Sequence, residues 1–81
     1  MKIESFFPGR LRVSSPLFTK QDDLDKIREY VSAMDGIKDF SGNLRTGSIT
    51  VAYDSSVITM PMLMNAKEEL ERIERELDHN G

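Results

Sequence analysis

The sequence predicts an α+β two-layer domain, with two helices packed on one face of an antiparallel sheet. Three observations carry that expectation. Two segments, 10–13 and 48–53, alternate apolar and polar residues with the period of two of a half-buried strand. Two others, 21–35 and 60–78, repeat apolar residues at spacings of three and four, the signature of an amphipathic helix. At 81 residues the chain is long enough for one small core, so a single domain over 1–81 is expected.

Residues 2–7 (KIESFF) and 10–15 (RLRVSS) are strand candidates on either side of Pro8-Gly9. Leu11 and Val13 alternate with Arg10, Arg12 and Ser14. Pro8-Gly9 either turns the chain or marks a bulge in one long strand. Residues 16–20 read as a loop in which Thr19 can cap the following helix, with Asp22 three residues on. That helix, over about 21–35, carries Leu24, Ile27, Val31 and Met34 on one face. Asp22, Asp23 and Asp25 sit near its start, where the helix dipole favours negative charge. Gly36 is the expected stop.

Residues 37–44 form the next strand, with Phe40 inward and Leu44 on the same parity. Arg45, Thr46 and Gly47 supply a turn. Ile49, Val51 and Tyr53 then alternate with Ser48, Thr50 and Ala52. The short connection makes these two strands an antiparallel hairpin. After a loop at 54–58, Thr59 can cap the second helix, with Ile58 and Leu63 at hydrophobic-staple positions. Leu63, Ala66, Leu70, Ile73 and Leu77 form its stripe. Glu68–Arg72 and Glu71–Arg75 are candidate ion pairs on its outer face, each contributing about 0.2–0.5 kcal/mol. The order β–α–β–β–α, with a further strand at the start, matches the split βαβ pattern of the ferredoxin-like fold.

Composition narrows function by exclusion. The net charge is −3, against the basic excess of a nucleic-acid binder. There is no cysteine, hence no disulfide and no thiolate metal site. No apolar run approaches the 18 residues of a membrane span, and the start lacks a secretory signal, so a cytoplasmic location is expected. The sequence contains no nucleophile–base pattern, no Gly-rich phosphate loop and no H-E-x-x-H, so a non-enzymatic protein without a cofactor is expected.

The stretch DGIKDFSGNLRTGSITVAYD resembles a segment of heavy-metal-associated domains, matching at Gly36, Ile37, Phe40, Asn43, Thr46, Gly47, Val51, Tyr53 and Asp54. ITMPMLMNAKEEL is similar to the start of their second helix. PGRLRV is similar to the first strand of a cysteine-poor branch found beside or within bacterial metal-transport ATPases. The likeness covers roughly 8–70 and rests on turn and core positions, so it implies the fold more strongly than a function. It also implies a metal-handling context, with a metal-transport ATPase or another metal-handling protein as partner.

Two departures from the family stand out. Its metal loop, after the first strand, here holds Ser14, Ser15, Pro16, Leu17, Phe18, Thr19 and Lys20, none of them a soft ligand. The family's last strand, after the second helix, is absent before Gly81. Residues 2–6 are expected to fold back through 7–10 and take that strand's place beside residues 10–14. The alternatives are a homodimer through the open sheet edge, or further residues beyond Gly81.

The candidate partner-binding residues are Arg10, Arg12 and Lys20, as a small basic patch, with Leu17 and Phe18 as an apolar pair in the loop. Phe18 could equally fold under the first helix. Met60, Met62 and Met64 are expected to pack at the start of the second helix. The lesser reading makes them, with His79, ligands of a direct carrier for a metal ion or metal complex. His79 alone reads as an exposed residue near the C-terminus. Asp22, Asp23 and Asp25 read as helix-start electrostatics rather than a cation site.

Overall fold

A computed structural model describes residues 1–80 of the chain, and the side chains of residues 1–77. Its elements run β1 (Lys2–Phe7), β2 (Arg10–Ser14), α1 (Gln21–Ser32), β3 (Ile37–Asn43), β4 (Ser48–Tyr53) and α2 (Met60–Asn80). The four strands form one antiparallel sheet in the order β1-β2-β4-β3. The α+β two-layer sandwich expected from the sequence is the fold observed.

Pro8-Gly9 is a turn, since Phe7 pairs with Arg10 and the strands run back along each other. β1 therefore fills the position beside β2 that the ferredoxin-like pattern gives to its last strand. The outer edge of the sheet is moved one strand out, from β2 to β1. The β1–β2 register shifts between Ile3 and Ser5. Glu4 is the extra residue of this bulge. The bulge puts Ile3 and Phe6, three apart, on the same face, opposite Val13 and Leu11.

The core sits between the inner sheet face and the two helices. Val13, Ile49 and Val51 from the strands meet Leu24, Ile27 and Val31 of α1 and Leu70 and Ile73 of α2. Gly42 of β3 faces α1, and a Cβ there would stand 2.7 Å from the Leu24 side chain, so the missing side chain sets how closely α1 approaches. Gly47 has φ +65°, and a Cβ there would collide with the Ser15 carbonyl oxygen. Glycine is thus required twice over at that turn.

Four local expectations are corrected. The residue before α1 is Lys20, in extended conformation and without a side-chain cap, so Thr19 does not cap it. The helix ends at Ser32, because a tightened last turn (Met34 N–H to Val31 carbonyl, 3.1 Å) leads into a reversal at Met34–Ile37. Gly36 belongs to that reversal and accepts the Asp54 N–H at 2.7 Å. Leu44 is exposed, because the Asn43 side chain takes the Arg45 N–H at 3.0 Å and starts the turn one residue early. On α2 the pairs formed are Lys67–Glu71, Glu69–Arg72 and Arg72–Glu76 rather than the two expected. Being largely exposed, such pairs add little stability.

Candidate functional site

The loop between β2 and α1 is tied into the fold at Ser15. The Ser15 N–H bonds to the Gly47 carbonyl at 2.9 Å, tying the loop to the β3–β4 turn. The Ser15 hydroxyl accepts the Leu17 N–H at 3.2 Å and donates to the Glu74 carboxylate. The other Glu74 oxygen holds the N-terminal ammonium at 2.8 Å. Burial works against the Glu74 charge. The hydrogen bonds from the ammonium and from Ser15 outweigh it and hold the carboxyl below its ordinary value. Loop, N-terminus and α2 are joined by this network.

Within that loop Phe18 is wholly buried, at 0% exposure, and belongs to the core. Of the two positions open to Phe18, docking surface or core, it takes the second: a turn from Ser15 (Phe18 N–H to Ser15 carbonyl, 3.2 Å) folds its ring under α1. Leu17 is half-buried, and Lys20 is exposed. Arg10 and Arg12 are exposed on the outer sheet face, but they line separate depressions. Arg12 shares one with Glu4, Ser5 and Ser14, and Arg10 shares the other with Asp39, Ser41 and Thr50. Each arginine thus has a carboxylate in its own depression, and Lys20 lines neither. The three cations do not form one basic patch.

The methionines reverse the expectation of packing. Met60, Met62 and Met64 are 54%, 37% and 58% exposed. α2 starts regularly at Met60, so Met60 and Met64 stand one turn apart on one side and Met62 on another. The His79 side chain lies outside the described residues.

Met60 and Met64 border an apolar groove of about 260 Å³. Ile3 and Phe6 of β1 and Leu11 and Val13 of β2 line its sheet side, with Met1 at one end. Met60, Leu63, Met64 and Leu70 of α2 line the other side, and Lys67 is the one charged side chain among the described residues that line it. Ile3 and Phe6 point to the core face yet remain 44% exposed each, because neither helix covers the sheet as far as β1. Sequence reasoning missed these two. KIESFF does not alternate, and only the bulge at Glu4 brings both onto one face. Their spacing of three, inside a strand, was the available signal.

The described residues that line the groove include no Ser, Thr, Cys or His and no carboxylate. Among the described residues no three His, Cys, Asp or Glu side chains are grouped so as to hold a metal ion, and every buried side-chain nitrogen or oxygen has a hydrogen-bond partner. The loop at 14–20 presents hydroxyl, aliphatic, aromatic and ammonium groups, which do not fit a thiophilic metal. No described helix is long and apolar enough to cross a membrane.

Compared with known families, residues 1–81 match the family model described as Heavy metal associated domain 2. No curated protein and no solved structure matches the chain.

Proposed function

The chain belongs to the heavy metal associated domain 2 family, and from that premise we propose that it is a non-enzymatic interaction module of a metal-handling system, working through the β1–α2 groove. The observation that supports this reading is the groove itself. Ile3, Phe6, Met60 and Met64 expose a continuous apolar surface on a chain whose other large apolar residues are mostly inside. Such a patch on a small domain marks an interaction site. It adjoins an unpaired strand edge, so a partner can add backbone hydrogen bonds to β1 while apolar side chains fill the groove. The family context points to a metal-transport ATPase or a related metal-handling protein as that partner, met on the cytoplasmic side.

The test has two arms. Equilibrium dialysis against Cu(I), Zn(II), Fe(II) and haem should give no stoichiometric complex. Binding to the soluble domains of metal-transport ATPases from the same genome should weaken at least about tenfold for Met64→Glu, an interface loss of about 1.4 kcal/mol. Tight metal loading of the chain, with partner binding insensitive to Met64, would overturn the reading.

One observation favours a second reading. Met60 and Met64 present two exposed thioethers on one side of a helix, and soft sulfur suits Cu(I). A carrier of this kind would bind Cu(I) in competition with a chromogenic chelator and lose it in Met60→Leu/Met64→Leu.

A further inference from the structure

We infer that the occupant of the β1–α2 groove includes a second copy of this chain, set edge to edge along β1 about a two-fold axis. The inference rests on reading the groove as an interaction surface and names what covers it.

The two edges of the sheet are finished differently. At β3 the flank carries Lys38 and Asp39, and the Arg28 guanidinium lies 5.3 Å from the centroid of the Phe40 ring. Charges of this kind protect an edge from pairing. At β1 the apolar residues Ile3, Phe6 and Phe7 stand exposed. Its one carboxylate, Glu4, takes a hydrogen bond from Ser14 at 2.6 Å and is turned back over its own sheet. Among the described residues Lys67 is the one charged side chain lining the groove, and Glu71 holds it at 3.3 Å. The chain as a whole is acidic, but no carboxylate is among the described residues that line the groove.

The spacing on β1 fits a copy of itself. The bulge sets Ile3 and Phe6 on one face, with Glu4 and Ser5 between them. A two-fold axis normal to the sheet, passing between Glu4 and Ser5, brings Ile3 beside Phe6 of the second copy and Phe6 beside its Ile3. Lys2 then lies beside Phe7, and the two Glu4 carboxylates flank the axis on the outer sheet face, each beside its own Ser14 and Arg12. Such a contact is isologous and closes at two copies, so it does not propagate. The exposed parts of Ile3, Phe6, Phe7, Met60 and Met64 amount to roughly 500 Å² per copy, taking about 150–250 Å² for each large apolar side chain. A pair therefore hides roughly 1,000 Å², the lower end of specific interfaces. The dimer expected is weak, with a dissociation constant in the micromolar range or above.

Sedimentation of the full chain over about 5–500 µM, with amide hydrogen exchange at both ends of that range, tests the inference. Mass should rise from one chain toward two, and exchange should slow at β1 and not at β3. Met64→Glu should weaken association at least about tenfold. Met62→Glu, two residues away and outside the groove, should leave it unchanged. A monomer throughout overturns the inference, and so does a dimer whose protection falls on β3 or that ignores Met64→Glu. If the chain is monomeric yet Met64→Glu still weakens binding to an ATPase domain, the inference fails and the interaction reading stands. If the chain is monomeric and the substitution changes neither, both fail.

Discussion

The loop between β2 and α1 and the groove between β1 and α2 have exchanged the roles that the sequence suggests for them. The loop was the expected docking element, yet its ring is in the core and its hydroxyl and backbone groups are tied to Gly47 and Glu74. The groove lies on β1, before the stretch 8–70 that carries the sequence resemblance, and it is an open apolar surface of the domain. Hydrogen bonds and burial turn the loop into packing, while a strand that no helix covers leaves its apolar residues open.

That contrast makes loop substitutions costly to folding and groove substitutions nearly silent. The largest expected effect is Phe18→Ala, which empties a fully buried site and should cost about 3–5 kcal/mol in a urea unfolding midpoint. A loss under about 1 kcal/mol would mean that the ring is not core, and would return the loop to the list of docking surfaces. Gly47→Ala should follow at about 1–3 kcal/mol, from its positive φ and the collision with Ser15.

Glu74→Gln should cost about 1–3 kcal/mol at neutral pH, because it removes the charged partner of both the ammonium and Ser15. The pH dependence has a definite sign. The Glu74 carboxyl is held below its ordinary value of 4.5, so its contribution is complete above that value and fades as pH falls through the lower folded pKa. The variant should therefore show a shallower acid limb in a stability–pH profile. An unchanged limb would separate the network from stability. Met64→Glu, at an exposed helix position, should shift stability by about 0.5 kcal/mol or less while changing association. Arg28→Ala should cost about 0.5–1 kcal/mol of stability through the lost contact with Phe40, without affecting association.

The sheet was legible in the sequence where alternation was unbroken, as at Leu11 and Val13 and at Ile49, Val51 and Tyr53. The folding-back of β1 was legible from a vacancy beside residues 10–14 and from Pro8-Gly9. The α2 stripe was readable from spacing, and Leu70 and Ile73 are buried as that stripe requires. Other features depended on contacts that no local pattern carries. The start of α1 at residue 21 was legible from spacing, but its cap was not, because Thr19 has the right chemistry one residue too early. Leu44 followed the parity of Phe40 until the Asn43 side chain began the turn. Phe18 looked the same whether inward or outward, and only the Ser15 turn decides it. The groove was hardest to see, because it needs a bulge in β1 and the positions of Met60 and Met64 at once.

The central claim is that partners meet this domain at the β1–α2 groove and not at the loop over residues 15–20. Amide chemical-shift mapping, with the soluble domain of a metal-transport ATPase from the same genome titrated into the labelled chain, tests it most directly. The account predicts that shifts gather at Ile3, Phe6, Met60, Met64 and Lys67 while Ser15, Leu17, Phe18 and Lys20 stay still. Shifts confined to Leu17, Lys20, Arg10 and Arg12, with a silent groove, would contradict it.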